Sequence, residues 1–214
     1  MSTRRKSTNV MNTQRRHSTR GSGRENSSPS VGIWKGLAAG VAGGLVAAAV
    51  MNRFQALLSR QAVGEERSHG AQSLQQGSPR QGIGLELRAE GKDAPDDDAT
   101  ERLANAVSLK VSGHELTKSE KAAAGTAFHY AMGATSGALY GAIAELVPAA
   151  TSGAGLPFGV AVWLVADETI VPAAGLSKSP EEYPLSIHAY SFASHLVFGL
   201  TAELVRRAAR RGWR

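Results

Sequence analysis

The chain has 214 residues and no cysteine, which excludes both a disulfide framework and a thiolate metal site. Its 24 Lys and Arg against 18 Asp and Glu give a formal net charge of +6, and its mean hydropathy of −0.19 is ordinary for a soluble domain. That average hides four segments of low charge, at 36–51, 122–144, 146–166 and 185–202. Such segments, separated by polar stretches, are typical of a small multi-pass membrane protein. The sequence therefore predicts an all-α fold, an integral membrane bundle of about four transmembrane helices with glycine-rich packing faces.

Residues 1–30 form a basic N-terminal tail with seven Lys and Arg against one acid. The tail is rich in Ser, Thr and Asn and has no apolar run, so it is predicted to be disordered. We interpret it as a cytoplasmic segment that contacts anionic lipid, as the basic C-terminal tail at 208–214 would also do, and no nucleic-acid partner is expected.

The first predicted transmembrane helix covers 31–58, and the second covers about 122–147. Glycines recur at every fourth position in both, which places them on one face of each helix. In lipid, such faces allow helix backbones to approach closely, so they predict helix contacts and self-association into a homo-oligomer. The predicted packing positions are Gly36, Gly40, Gly44, Gly133, Gly137 and Gly141.

Residues 59–120 are predicted to be a polar extracytoplasmic loop with a short helix near 97–112. Asp97 to Thr100 can cap that helix. Its apolar side would rest on the membrane surface or on the bundle and would contain Leu103, Ala104, Val107 and Leu109.

Residues 121–207 are predicted to contain transmembrane helices 2 to 4, the third at about 152–171 and the fourth at about 185–205, followed by a basic tail at 208–214. Lys and Arg are concentrated at both termini, whereas the connection between helices 3 and 4 has only Lys178. The positive-inside rule then places both termini in the cytoplasm.

Ionisable side chains interrupt the apolar segments. His188, His195 and Glu203 fall on one face of the fourth helix, and Glu145 lies near the cytoplasmic end of the second. Ionisable side chains cost free energy within a bilayer, so we expect these residues to have a structural or functional role. They can form interhelical hydrogen bonds, or they can form a path for protons or cations.

A third reading is a metal site. It would combine His188 with His129 and with Asp167 or Glu168, residue types that suit zinc or another divalent ion. No compact metal-binding motif accompanies these residues.

The stretch "GALYGAIAELVPAATSGAGLPFGVAVWLVADETIVPAAGLSKSP", followed by "ASHLVFGLTAELVRR", resembles the YagU-like family of bacterial inner-membrane proteins, a domain of unknown function. The matching features include Tyr140, Glu145 with Pro148, the His195 block, and Glu203 with Arg206 and Arg207. The resemblance implies a multi-pass protein of the bacterial inner membrane. It also supports Glu145, His195 and Glu203 as candidate site residues.

Phosphate-loop and GxSxG sequences are absent, so no enzyme and no cofactor are predicted. We expect a non-enzymatic structural or interaction protein. The alternatives are a small protein that handles protons or cations through His195 and Glu203, and a membrane metal-binding protein.

Overall fold

The computed structural model describes residues 29–61, 97, 99–174, 176–177 and 179–213. Most of the predicted basic N-terminal tail and residues 62–96 of the predicted loop lie outside these residues. Within them the chain is all-α without strands, which confirms the all-α part of the predicted fold class. The principal helices are α1 (Pro29–Gln61), α2 (Ala99–Ser112), α3 (Lys118–Leu146), α4 (Leu156–Val165) and α5 (Leu185–Gly212).

Shorter helical segments join these helices. A 3₁₀ segment, Pro148–Gly155, leads from α3 into α4. After α4 the chain continues through a π-helical turn, Ala166–Ile170, and a last α-turn, Val171–Ala173. A second 3₁₀ turn, Pro180–Glu182, precedes α5. The predicted third span is therefore irregular at both ends.

Four of the helices pack as antiparallel neighbours. α1 contacts both α3 and α5, and α4 contacts α5. The N-terminal end of α1 and the C-terminal end of α5 lie together, since the Lys35 Nζ donates to the Trp213 carbonyl at 3.2 Å. α1 is thus central to the packing.

The glycine faces of α1 and α3 lie against each other. An added Cβ at Gly40 would collide with the carbonyl of Gly137, and one at Gly44 would collide with the carbonyl of Gly133. Gly36 faces Gly141 in the same way. The two helices therefore meet backbone to backbone, which only the absence of side chains allows.

A second close approach joins α4 to α5 and was not predicted. Gly155 precedes α4 with φ +85°, a left-handed conformation that glycine adopts without strain. A side chain there would overlap the carbonyl of Gly199. Gly159, one turn into α4, has equally little space because it lies against the backbone of His195.

α2 packs against the N-terminal part of α3. Its buried face is polar: Arg102 is 2% exposed and donates to the carbonyls of Leu176, at 2.9 Å, and Asp97. The Lys121 Nζ of α3 contacts the Asp97 carboxylate at 2.8 Å. On the predicted apolar side, Val107 is 53% exposed and so does not rest on the bundle. Carbonyls and a carboxylate at this contact require donors rather than apolar groups.

Two segments within the described residues are long and apolar enough to cross a membrane, namely Gly32–Leu58 and Pro148–Ala173. The first corresponds to α1, and the second includes α4 with its flanking turns. Their length and composition are consistent with membrane association.

Candidate functional site

Two separate clusters of polar side chains contain the predicted site residues of α5. The first, the arginine cluster, contains Glu145, Glu203, Arg206, Arg207 and Arg210. The second, the histidine cluster, contains Asp167, Glu168, His188, Ser191 and His195.

Glu203 is the centre of the arginine cluster and is completely buried. Arg206 donates to both of its carboxylate oxygens, from Nε at 2.7 Å and from Nη2 at 3.0 Å. Arg207 Nε donates to Oε1 at 2.5 Å. These charge-assisted hydrogen bonds compensate for burial of the carboxylate. Because Glu203, Arg206 and Arg207 are one turn apart on α5, their spacing in the sequence already allows the contacts.

Glu145 connects α3 to the same end of α5. Arg210 binds it in a bidentate manner, with Nε and Nη2 at 2.7 and 2.8 Å from the two carboxylate oxygens. Arg206 Nη1 lies 3.9 Å from Glu145 Oε1, so one guanidinium faces both carboxylates. Arg207 also donates to the Thr151 carbonyl at 3.1 Å. The cluster thus joins α3, the 3₁₀ segment and α5.

Tyr140 borders this cluster from α3. Its ring stacks on Phe158 with the centroids 4.2 Å apart. The Arg206 guanidinium carbon lies 5.9 Å from the Tyr140 ring centroid, within the range of a cation–π contact. Aromatic packing therefore holds Arg206 in addition to its ion pairs.

A cavity of about 300 Å³ opens at the arginine cluster. It is lined by Glu145, Arg206, Arg207, Arg210 and Arg211. Sequence reasoning selected Glu145 and Glu203 but did not identify Arg210 or Arg211 as site residues. The signal available was the run "RRAARR", whose i, i+4 spacing places Arg206 and Arg210 on one face.

The histidine cluster lies around the π-helical turn. Asp167 is 1% exposed and accepts a hydrogen bond from the Ser191 hydroxyl. The His195 Nδ1 lies 3.7 Å from Asp167 Oδ2 and 2.9 Å from the Ser191 carbonyl. Ser191 is four residues before His195 on the same face of α5, a signal that sequence reasoning missed.

His188 makes a separate pair with Glu168. Its Nδ1 is 2.8 Å from Glu168 Oε1, and its Nε2 is 3.0 Å from the Pro180 carbonyl oxygen. Both ring nitrogens therefore face acceptors.

The predicted line of His188, His195 and Glu203 is one helix face but not one network. His195 associates with Asp167, whereas Glu203 associates with the arginines. Between His195 and Glu203 along α5, the backbones of α4 and α5 are in close contact at Gly155, Gly159 and Gly199. The contact separates the two clusters.

The structure does not assemble the predicted metal set. The adjacent residues Asp167 and Glu168 diverge on the π-helical turn, so that Asp167 faces His195 and Glu168 faces His188. His129 instead makes an edge contact with the ring of Tyr130. Within the described ranges, no group of three or more His, Cys, Asp or Glu could hold a metal ion.

Comparison with known proteins gives one family. The family model described as "Protein of unknown function (DUF1440)" matches residues 88–204, which is more than half of the chain. No curated protein and no solved structure matches.

Proposed function

The chain belongs to the DUF1440 family, and we propose that it is an integral membrane protein of four spans with a structural or interaction role rather than an enzymatic one. Its family has no assigned function, so the proposal rests on the structure. It takes α1, α3 from residue 122 onward, α4 with its flanking turns, and α5 as the spans.

One observation carries this proposal: many large apolar side chains point outward, whereas several polar side chains are fully buried. Each of the four helices has exposed apolar residues, including Leu45, Val46, Leu139, Ile143, Leu164, Val165, Leu200 and Leu204. The fully buried side chains include Glu203, Asp167, Ser191 and Ser194. A water-soluble helical protein has the opposite distribution. Lipid as the surrounding solvent accounts for it.

The segment Pro148–Ala173 supports the same conclusion. Only 11% of an apolar stretch of 18 residues within this segment is buried inside the protein. A core helix of a soluble protein would be mostly covered by its neighbours, whereas a spanning helix at the edge of a bundle contacts lipid.

We further propose a bacterial inner membrane and cytoplasmic termini. The resemblance to the YagU-like family supports that membrane. The contact between Lys35 and Trp213 brings the two terminal regions to one end of the bundle. Both regions are rich in Lys and Arg, which favours the cytoplasmic side.

A structural role for the buried ionisable groups is favoured by their pairing. The carboxylates of Glu145, Glu203 and Glu168 all contact basic groups on the same or a neighbouring helix. The close backbone contact of α4 and α5 between the clusters does not favour continuous conduction. Hydrogen bonds and ion pairs between helices therefore explain these residues without transport.

Cysteine mapping tests the topology, because the natural chain has no cysteine and gives a clean background. Single cysteines would be placed at His114, between α2 and α3, at Ser179, before α5, and at Ser18 in the N-terminal tail. A membrane-impermeant maleimide added to intact cells should label the first two variants and spare the third until the cells are opened. Release of the protein from membranes by carbonate, or equal labelling of all three, would overturn the proposal.

Proton handling is the second candidate function, favoured by the buried contact between Asp167 and His195. A pH-jump flux assay on purified protein in liposomes separates the two functions. The structural role predicts tight liposomes for both the wild type and His195→Gln, which removes the imidazole that faces Asp167. A flux in the wild type that the variant lacks would favour the second candidate.

A further inference from the structure

We propose that the cavity at the end of α5 is a binding site for a phosphate-bearing anion, either the headgroup of an anionic phospholipid or free inorganic phosphate. The site is lined by Arg206, Arg207, Arg210, Arg211 and Glu145. The lipid source rests on the proposed membrane function, whereas the free-phosphate source does not.

The charge of the site favours an anion. Four guanidinium groups face only two carboxylates, those of Glu145 and Glu203, which leaves an excess of two positive charges. The carboxylate that lines the cavity, Glu145, already accepts from Arg210 through both oxygens. Its charge is therefore largely neutralised within the protein.

The arginines also have donors left after these pairings. Arg207 uses Nε for Glu203 and Nη2 for the Thr151 carbonyl, and Arg210 uses Nε and Nη2 for Glu145. Arg211 makes no hydrogen bond or ion pair with any described residue. Since each guanidinium carries five N–H donors, several are available for a further acceptor. Planar guanidinium groups match the geometry of phosphate oxygens.

The dimensions suit a small polar group. A volume of about 300 Å³ lies at the lower end of ligand-binding cavities. Ion pairs preorganise the walls, because Arg206 and Arg207 are held by the buried Glu203. A ligand would meet side chains already in position, which reduces the entropic cost of binding.

The position of the cavity agrees with a headgroup. Trp213 follows the lining arginines and is 44% exposed, and Lys35 and Trp34 lie at the same end of the bundle. Tryptophan and basic residues concentrate at the interface of membrane proteins, where lipid phosphates lie. Under the proposed topology, the cavity opens at the depth of the cytoplasmic headgroups.

The test uses the full chain, purified in an uncharged detergent. One arm measures binding of inorganic phosphate by calorimetry. The other arm counts retained phosphatidylglycerol against phosphatidylcholine by native mass spectrometry. Arg211→Gln removes a lining charge without breaking any ion pair among the described residues. Arg53→Gln, an exposed arginine towards the opposite end of α1, removes the same charge elsewhere and is the control.

We expect the wild type to bind phosphate, phosphatidylglycerol or both. Arg211→Gln should weaken that binding about tenfold, the loss expected for one hydrogen bond to a charged group, and Arg53→Gln should leave it unchanged. Loss in the phosphatidylglycerol arm identifies lipid as the source, and loss in the phosphate arm alone identifies the free anion.

The site is disproved if Arg211→Gln and Arg53→Gln bind equally, or if the wild type neither binds phosphate nor prefers phosphatidylglycerol. Melting temperatures of both variants near that of the wild type ensure that a loss is not caused by unfolding. Failure of the membrane proposal would appear as carbonate release instead, and the phosphate arm would still test the cavity.

Discussion

Replacing Gly40 with alanine should force α1 and α3 apart. The added Cβ would lie 2.1 Å from the carbonyl oxygen of Gly137 and 2.8 Å from its carbonyl carbon. Both neighbours are backbone atoms, so no side chain can rotate away. Ordinary contact begins near 3.4 Å, and the two helices must therefore separate by more than about 1 Å at this level.

The magnitude follows from two opposing effects. Overpacking a close contact costs about 1–3 kcal/mol, and a rigid backbone neighbour favours the upper part of that range. Alanine returns about 0.8–1.0 kcal/mol because it is the better helix former. The net loss in the free energy of unfolding is about 1–2 kcal/mol. For a chain of this size, that corresponds to about 3–6 °C in melting temperature.

Gly212→Ala is the matched control, because nothing lies within 4 Å of a Cβ added there. Thermal unfolding of both variants in the same detergent, followed by intrinsic tryptophan fluorescence, separates clash from propensity. We expect Gly212→Ala to melt at or above the wild-type temperature and Gly40→Ala below it. Equal melting temperatures for the two variants would refute backbone contact between α1 and α3.

Glu203→Gln should lower the free energy of unfolding by about 3 kcal/mol, since it leaves a buried arginine without its anionic partner. The exposed Glu181→Gln should change it little, and equal melting temperatures for the two variants would contradict the buried pair. The backbone N–H and hydroxyl of Thr117 donate to Glu120 and lower the pKa of its carboxyl. This capping box therefore stabilises the start of α3 above the ordinary pKa, and its contribution is lost as the pH falls through the lowered value. Amide exchange in residues 118–121, corrected for intrinsic rates, should rise in the wild type as the pH falls through that lowered pKa, but not in Glu120→Gln.

The helices and their contact faces were accessible from the sequence. Glycine at every fourth position identified the faces of α1 and α3, and the 100° rotation per residue placed His188, His195 and Glu203 on one side of α5. The spacing of residues along one helix depends on that helix alone, and it therefore predicts reliably which residues share a face. It does not reveal which helix covers that face.

Sequence reasoning could not predict which side chains on different helices pair with each other. The bond between Arg210 and Glu145 joins residues 65 positions apart, and only the antiparallel packing of α1 with both α3 and α5 brings them together. The π-helical turn had a similar effect, because it directs the neighbours Asp167 and Glu168 towards different histidines. The predicted metal set rested on similar depth in the membrane, which does not fix the direction of each side chain, and His129 lies against Tyr130 instead.

The central position of α1 has a consequence for how the chain can be divided. α1 lies outside the matched residues 88–204, yet it supplies the surface against which α3 and α5 pack. Removal of residues 62–96 leaves every contact between the described helices intact. Fragments 1–61 and 97–214, expressed from separate genes, should therefore reassemble in the cell. Fused to the two halves of a split reporter, the fragments would report the fit between the glycine faces without an assay of the protein's own activity.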